Sequence, residues 1–306
     1  MPLFKINNTK LEPIKKENFQ YEKDLQTLTE ENLNELFGLK FVATEFQVAN
    51  LRIDTLAFNE ETKSFVIIEY KKGTSYSIID QGYAYLSLLL NNKAEFVLEY
   101  NKKYITHYGK EDIDFSQTKV IFIAAEFTKY QLKSTEFDDI AFELWKVSKF
   151  NNETILYDKL NISENKASIK EINTDSKMKK NVDKQINKYS EKSILRGYPK
   201  KIKKLYEKIK MDILEDFNDI DITYTKLYFV FKINNQHLIS IEPFKNHMKI
   251  YINIELGKLD DNDKRIRNVS NIGHHAIGNY ELKIEPDKYD SYFLLGLFKR
   301  VYEEKI

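Results

Sequence analysis

The sequence contains no cysteine, which excludes disulfide bonds, thiolate catalysis and cysteine-ligated zinc. Aspartate, glutamate and histidine are the strong metal ligands that remain. No apolar run approaches the length of a membrane span, and the first residues, MPLFKINNTK, lack the basic and then apolar order of a signal peptide. A phosphate-binding loop of the G-x-x-x-x-G-K-[ST] kind is also missing. These absences predict a cytoplasmic protein without a membrane partner or a nucleotide-driven motor of its own.

The 306 residues, 42% of them hydrophobic, suffice for two globular domains with separate cores. The net charge is +1, but the charged residues are unevenly distributed along the chain. Between Lys166 and Lys210 there are 15 basic and five acidic residues. This basic segment is either a solvated spacer or a surface that neutralises phosphates. On the second interpretation, the expected nucleic-acid contacts include Lys200, Lys201, Lys203 and Lys204.

The first half of the chain mixes helical and strand patterns. Apolar periodicity predicts helices over 19–37, ending near Gly38, and over 77–91. Strands are expected over 39–46, 50–58, 64–70, 94–100, 119–127, 137–150 and 154–160. This order predicts an α/β domain spanning residues 1–160, with a mixed sheet flanked by helices.

A polar stretch without periodicity follows at 161–197 and is predicted to be a linker or a loosely ordered helix. A helix begins at Pro199, and its apolar stripe indicates a core face. Strands are expected over 222–233, 238–243, 248–254 and 280–284, before a terminal helix over 289–304. Residues 198–306 are therefore predicted to form an α+β domain with an antiparallel sheet.

Three charged residues stand out in the hairpin predicted between residues 52 and 70. Glu69 and Lys71 are two apart on one strand and share a face, and the preceding strand brings Asp54 alongside them. The apolar run before Glu69 indicates a buried central strand, where uncompensated charge is costly. A hard divalent cation bound by the two carboxylates would account for this charge, and Lys71 could then orient an attacking water.

This arrangement resembles the PD-(D/E)XK nuclease superfamily, in which an acidic residue precedes a strand that carries an acid-x-Lys tripeptide. The matching residues are Asp54 and Glu69-Tyr70-Lys71, although Ile53 stands where the superfamily has proline. Gln81 and Tyr85 match a Q-x-x-x-Y pattern that some branches carry on the next helix.

The resemblance implies a restriction-endonuclease-like fold and a nuclease that hydrolyses DNA phosphodiester bonds in restriction, repair or anti-phage defence. It implies Mg²⁺ or Mn²⁺ as cofactor, with Asp54 and Glu69 as ligands. A preceding helix often lends another carboxylate, for which Glu31 is favoured over Glu35 and Glu45. The residues expected to contact DNA in this domain are Gln81, Tyr85, Arg52 and Lys72.

The segment NVSNIGHHAIGNYEL, which begins at Asn268, resembles the signature of a C-terminal domain of uncharacterised function in bacterial proteins. Some of these proteins are labelled "predicted transport protein", and the domain commonly follows a PD-(D/E)XK-like module. The chain departs from the relatives at His275, Ala276 and Ile277. His274 and His275 either bind a phosphate or a metal, or simply pack in a turn.

Two classes of function remain. The first is a metal-dependent endo- or exodeoxyribonuclease, which could act as a homodimer because paired cuts on duplexes often need two active sites. The second is an inactive nuclease-fold module that binds nucleic acid or regulates a partner. On either reading, the C-terminal domain would recognise a substrate feature or a partner protein.

Overall fold

The structure is a computed structural model that describes residues 3–71, 78–133, 141–160, 177–186, 189–259, 264–272 and 276–306. The chain divides into two compact units, Met1–Lys188 and Tyr189–Ile306. The first unit is built on a mixed sheet and the second on an antiparallel sheet, so the chain belongs to the mixed α/β class. Within the described ranges, every helix is too short or too polar to cross a membrane.

The first unit opens with an antiparallel hairpin of β1 (Leu3–Asn7) and β2 (Lys10–Ile14), which the sequence patterns did not predict. Its main sheet is formed by β3 (Lys16–Glu17), β4 (Lys40–Val48), β5 (Leu51–Asn59), β6 (Ser64–Lys71), β7 (Lys119–Ala124), β8 (Phe142–Phe150) and β9 (Ile155–Lys159). The strand order is β3-β8-β7-β6-β5-β4, and β9 also pairs with β8. The sheet is mixed because β6, β7 and β8 are parallel, whereas the other neighbours are antiparallel.

Helices cover both faces of this sheet. They are α1 (Glu22–Glu31), α2 (Leu33–Phe37), α3 (Ile78–Asn91), α4 (Lys93–Tyr104), α5 (Lys129–Lys133) and α6 (Lys177–Gln185). Leu25 and Leu33 of the first two helices pack with Ile68 on one face. Leu89 of α3 and Phe96 of α4 share the core of the other face. Strand β6 is therefore buried on both sides, as its apolar run predicts.

The strand predicted over 94–100 is wrong, because these residues belong to helix α4. Its buried residues Phe96, Val97 and Tyr100 follow the spacing of a helix face rather than the alternation of a strand. Glu95 lies in the first turn, and Lys102 and Lys103 lie in the last turn. These charges favour the helix because they complement its dipole.

The second unit packs helices against a six-stranded sheet in which all paired strands are antiparallel. Its elements are α7 (Glu191–Ile194), α8 (Lys200–Asp216), β10 (Asp221–Tyr224), β11 (Phe229–Ile233), β12 (Gln236–Pro243), β13 (Met248–Ile252), β14 (Ile266–Asn268), β15 (Tyr280–Ile284) and α9 (Ser291–Lys305). The apolar stripe of α8 is buried in the core, as predicted. The single strand expected over 222–233 is instead two strands, because the Tyr228 N–H donates to Thr225 Oγ1 in a turn between them.

Residues described within the predicted linker at 161–197 belong to the two units rather than to a spacer. Helix α6 packs against α3, and Val182 and Ile186 are buried in the core of the first unit. Ile194 and Leu195 are buried in the core of the second unit. The division between the units therefore falls between residues 188 and 189.

A fragment of residues 1–188 is expected to unfold cooperatively, because the first unit has its own core. A fragment of residues 1–160 lacks α6 and exposes the apolar surface that Val182 and Ile186 cover. We expect its free energy of unfolding to be about 2 kcal/mol lower, after the cost of ordering the helix is subtracted. Urea unfolding followed by circular dichroism measures this difference. Equal stability of the two fragments would contradict a contribution from α6.

Candidate active site

The hairpin of β5 and β6 brings Asp54, Glu69 and Lys71 to one end of the sheet. Thr55 pairs with Ile68, so continuing this register by one residue sets Asp54 opposite Glu69. Lys71 follows Glu69 on the same face, and its Nζ lies 2.7 Å from Glu69 Oε1. Glu69 is only 4% exposed. The three residues that the spacing predicts to meet are thus side by side, with two carboxylates and one ammonium.

Asp54 is held by its backbone and by one oxygen of its carboxylate. The Tyr70 N–H donates to Asp54 Oδ2 at 3.1 Å, and Gln26 Nε2 donates to the Asp54 carbonyl at 2.8 Å. Among the described residues, no donor reaches Asp54 Oδ1. Burial and then the negative charge of Glu69 raise the pKa of Asp54 to about 7, although the Tyr70 N–H and Lys71 oppose them.

Glu69 accepts hydrogen bonds from helix α3 as well as from Lys71. Gln81 Nε2 donates to Oε1 at 2.6 Å, and the Tyr85 hydroxyl donates to Oε2 at 2.8 Å. The two side chains are neighbours because they lie one helical turn apart. Burial and then the charge of Glu69 raise the pKa of Tyr85, so the hydroxyl keeps the proton that it donates.

A close approach of α3 to the sheet allows these contacts. Gly82 faces Phe142 of β8, and a Cβ at this position would lie 2.5 Å from Phe142 Cζ. Any larger residue would therefore displace the helix or the ring. Gly82 thus allows α3, the helix that carries Gln81 and Tyr85, to lie close to the sheet.

The contact of Gln81 and Tyr85 with DNA stays a prediction. Both side chains donate hydrogen bonds to Glu69, and Tyr85 is 5% exposed. These bonds place both donors on the carboxylate. Arg52 is exposed, and its Nε lies 2.8 Å from Glu45 Oε2. Lys72 lies outside the described residues.

The acids of α1 with described interactions around the site are Glu22 and Glu30 rather than the predicted Glu31: the charge of Glu22 acts on Asp54, and Glu30 accepts a hydrogen bond from Thr55 Oγ1. The face of α1 that packs on the sheet carries Gln26, which reaches the Asp54 carbonyl. Glu22 is one turn before Gln26, and its charge contributes to the raised pKa of Asp54. Glu31 is exposed, and nine residues after Glu22 correspond to a half-turn offset around the helix axis. The acidic first turn of a helix before the hairpin was the available signal for Glu22.

A cleft of about 430 Å³ opens beside Lys71. Its wall includes Glu22 and Leu25 from α1 and Val147 to Lys149 from β8. Lys16, Phe19, Tyr21 and Glu126 also line it. We call it the α1 cleft. No sequence pattern predicts this cleft, because its wall comes from segments that are distant along the chain.

The lysines predicted to contact nucleic acid in the second unit lie on α8. Lys200, Lys201 and Lys204 are exposed on α8, and Lys203 is half-buried. They follow the polar face of a helix whose opposite stripe is buried. His274 and His275 lie outside the described residues.

The oxygen donors of the site suit a hard divalent cation. The part of the chain that the structure describes contains no group of three or more histidine, aspartate or glutamate side chains arranged around one metal position. Asp54 and Glu69 therefore supply only two carboxylates. This number fits Mg²⁺, which keeps several waters and binds through one or two carboxylates together with substrate phosphates.

Residues 191–303 match the family described as "Domain of unknown function (DUF5655)". An "Uncharacterized protein" of Haemophilus influenzae is 39% identical over 304 residues, which cover 99% of this chain and 100% of that protein. Among solved structures, a repair endonuclease from Pyrococcus abyssi is 14% identical with a TM-score of 0.26, covering 42% of this chain and 49% of its own. SfsA from Pyrococcus furiosus in complex with Ca²⁺ has the same identity and TM-score, covering 46% and 65%. These structural similarities are too low to carry an argument, and the label of predicted transport protein is not shown by these matches.

The raised pKa of Asp54 predicts a pH-dependent gain in stability for Asp54→Asn in the absence of divalent metal. The unfolded chain loses this proton near pH 3.8 and the folded chain near pH 7, so wild-type stability falls as pH rises between these values. Asparagine keeps an acceptor for the Tyr70 N–H but carries no charge. We expect no gain at pH 4 and about 2 kcal/mol at pH 8, a value reduced for partial exposure.

Urea unfolding at both pH values measures this effect. Asp158→Asn is the matched control, because Asp158 is an exposed aspartate on a strand of the same unit. An Asp54→Asn gain that is equal at pH 4 and pH 8 would contradict the raised pKa.

Proposed function

The chain belongs to the same family as the uncharacterized Haemophilus influenzae protein, and we propose that its first unit is a divalent-metal-dependent nuclease of the PD-(D/E)XK type that cleaves DNA. One observation carries the proposal: the carboxylates of Asp54 and Glu69 meet at the end of a buried strand beside Lys71. A buried charge that no partner compensates is costly. Among the described residues, the ammonium near both carboxylates is that of Lys71, and it pairs with Glu69. A bound cation would compensate the charge of Asp54.

Asp54 and Glu69 are the residues that would hold Mg²⁺ or Mn²⁺, with Glu22 as a nearby carboxylate of α1. Asp54 Oδ1 is open to a ligand. When bound, the metal supplies a lowered pKa for a coordinated water and positive charge beside the phosphate. The donor chemistry supports this assignment, because carboxylate oxygens are preferred ligands of these ions.

The other side chains of the site, Lys71, Gln81 and Tyr85, donate hydrogen bonds and orient the groups that accept them. The Lys71 ammonium has three N–H donors, of which Glu69 uses one, so the others can reach an attacking water or a phosphate oxygen. Gln81 and Tyr85 fix the rotamer of Glu69 through two hydrogen bonds. A carboxylate held from both oxygens keeps its orientation when substrate arrives, which lowers the reorganisation needed for the reaction.

The second unit offers a separate surface for nucleic acid. Exposed lysines at the start of α8 can neutralise backbone phosphates without reading sequence. On this proposal the second unit contributes affinity and the first unit contributes chemistry.

Alanine substitutions at the core residues test the nuclease directly. Asp54→Ala and Glu69→Ala should each lower cleavage by at least about 1,000-fold, and Lys71→Ala by about 100-fold, because each removes charge stabilisation near the reacting phosphate. The measurement is a cleavage panel of single-stranded, double-stranded, branched and modified DNA with Mg²⁺ or Mn²⁺.

Two of the acids of α1, Glu22 and Glu31, provide matched variants for the same assay. Glu22→Gln should lower the rate, whereas Glu31→Gln should leave it unchanged because Glu31 is exposed on the opposite side of the helix. Full activity of Asp54→Ala or Glu69→Ala would rule out the site. Absence of cleavage by the wild-type protein on every substrate would favour the inactive binding module.

The lysines of α8 make a prediction about salt dependence. Each phosphate contact that is lost lowers the slope of log affinity against log salt by about 0.9 on duplex DNA. Replacing Lys200, Lys201, Lys203 and Lys204 with glutamine should weaken duplex binding and flatten this slope, with little change in helix stability.

The matched control replaces Lys226 and Lys245, two exposed lysines of the same unit, with glutamine. This change should leave the slope unaltered. If the variant with all four α8 lysines replaced also keeps the wild-type slope, these lysines solvate the helix and do not contact DNA.

A further inference from the structure

The α1 cleft adjoins the proposed nuclease site but is not explained by it. Lys71 lines the cleft and also pairs with Glu69, so this lysine is shared by the cleft and the acidic site. Its volume of about 430 Å³ lies in the range of pockets for small organic ligands, about 300–1,000 Å³. A single nucleotide is a ligand of this size.

The cleft presents apolar surface and aromatic rings. Leu25 and Val147 are buried, and the half-buried Phe19 packs against the same core cluster. Tyr21 is 59% exposed at the start of α1. Flat apolar surfaces and exposed rings are the surfaces on which nucleobases stack, whatever their sequence.

Lysines also line the cleft. Lys149 Nζ is 5.8 Å from the centroid of the Phe19 ring, and it pairs only loosely with Glu17, at 3.9 Å. Lys16 donates to Ser148 Oγ at 3.0 Å. Lys71 and Lys149 line the cleft from different strands, because β8 is two strands from β6. Lys149 also lies three residues beyond Lys146, which is in register with Lys71 through Ala124. The two lysines therefore belong to separate parts of the cleft wall, which also includes apolar and aromatic residues.

We propose that the α1 cleft receives one unstacked nucleotide next to the scissile phosphate, with its base against Phe19 and Tyr21 and its phosphates near Lys71 and Lys149. This inference rests on the proposed nuclease function. A base inside a regular duplex cannot enter such a cleft, because it is stacked between its neighbours. The substrate class is therefore single-stranded DNA, or duplex DNA in which a base has left the stack.

The test measures binding of the full chain without divalent metal, so that no cleavage occurs. Fluorescence anisotropy gives the affinity for a labelled 12-nucleotide single strand and for the corresponding duplex. Tyr21→Ala should weaken single-strand binding about tenfold, because it removes one stacking ring, and should change duplex binding less than about twofold. The backbone N–H of residue 21 still donates to Asp24 Oδ2, so α1 keeps this contact.

Two further variants complete the design. Tyr292→Ala removes a tyrosine that is 90% exposed in the first turn of α9 and should leave both affinities unchanged. Lys149→Gln should lower the salt slope for the single strand by about 0.7. Circular dichroism confirms that each variant is folded.

Wild-type single-strand affinity in both Tyr21→Ala and Lys149→Gln would overturn the inference. Failure of the wild-type protein to bind the single strand would overturn it too, as would equal losses for single strand and duplex in Tyr21→Ala. Failure of the nuclease proposal is a separate result, namely no cleavage with Mg²⁺ or Mn²⁺. In that case a selective loss of single-strand binding in Tyr21→Ala would still assign the cleft to a nucleotide.

Discussion

The repulsion between two carboxylates at the end of a buried strand is the constraint on which the site depends. Asp54 and Glu69 are placed together by strand pairing, and among the described residues the Lys71 ammonium lies close to them. Glu69 accepts hydrogen bonds from Lys71, Gln81 and Tyr85, whereas one oxygen of Asp54 has no donor among the described residues. This asymmetry orients Glu69, while burial and the charge of Glu69 raise the pKa of Asp54. A structure selected for stability alone would place an apolar residue at one of these positions.

The core of this arrangement could be predicted from the sequence because it is local. A hairpin with a short turn fixes its own register, and side chains two apart on a strand share a face. The buried run before Glu69 likewise identified β6 as a central strand. Gln81 and Tyr85 were identified by the resemblance to a Q-x-x-x-Y pattern, and helical spacing makes them neighbours, but their hydrogen bonds to Glu69 were not predicted. These hydrogen bonds depend on the direction from which α3 approaches the sheet, and Gly82 permits this approach through its contact with Phe142.

The features that the sequence-based predictions missed lie in segments whose packing partners are distant along the chain. The pattern of α1 predicted a helix but not the face that meets the sheet, so Glu22 was not among the acids considered, which were Glu31, Glu35 and Glu45. Residues 94–100 were predicted as a strand because Phe96, Val97 and Tyr100 are β-formers, although their spacing suits one helix face. Helix α6 lies in the lysine-rich stretch that was predicted to be a linker or a loosely ordered helix, and Val182 and Ile186 are buried among its described side chains and the residue that follows it. No sequence pattern predicts the α1 cleft, because its wall combines α1, β3, Lys71 of β6, the residues after β7, and β8.

The contacts of α3 link the stability of the first unit to its chemistry. The helix buries leucines in the core and, from the same turns, presents Gln81 and Tyr85 to Glu69. Burial of the apolar side chains of α3 therefore offsets the conformational entropy that Gln81 and Tyr85 lose when they are held at Glu69. A small displacement of α3, such as one caused by a Cβ at residue 82, would lengthen both hydrogen bonds to Glu69 before it exposed the core. Orientation of the carboxylate is thus the most sensitive property of the site, and it is set by the contact between Gly82 and Phe142, which lies away from the three charged residues.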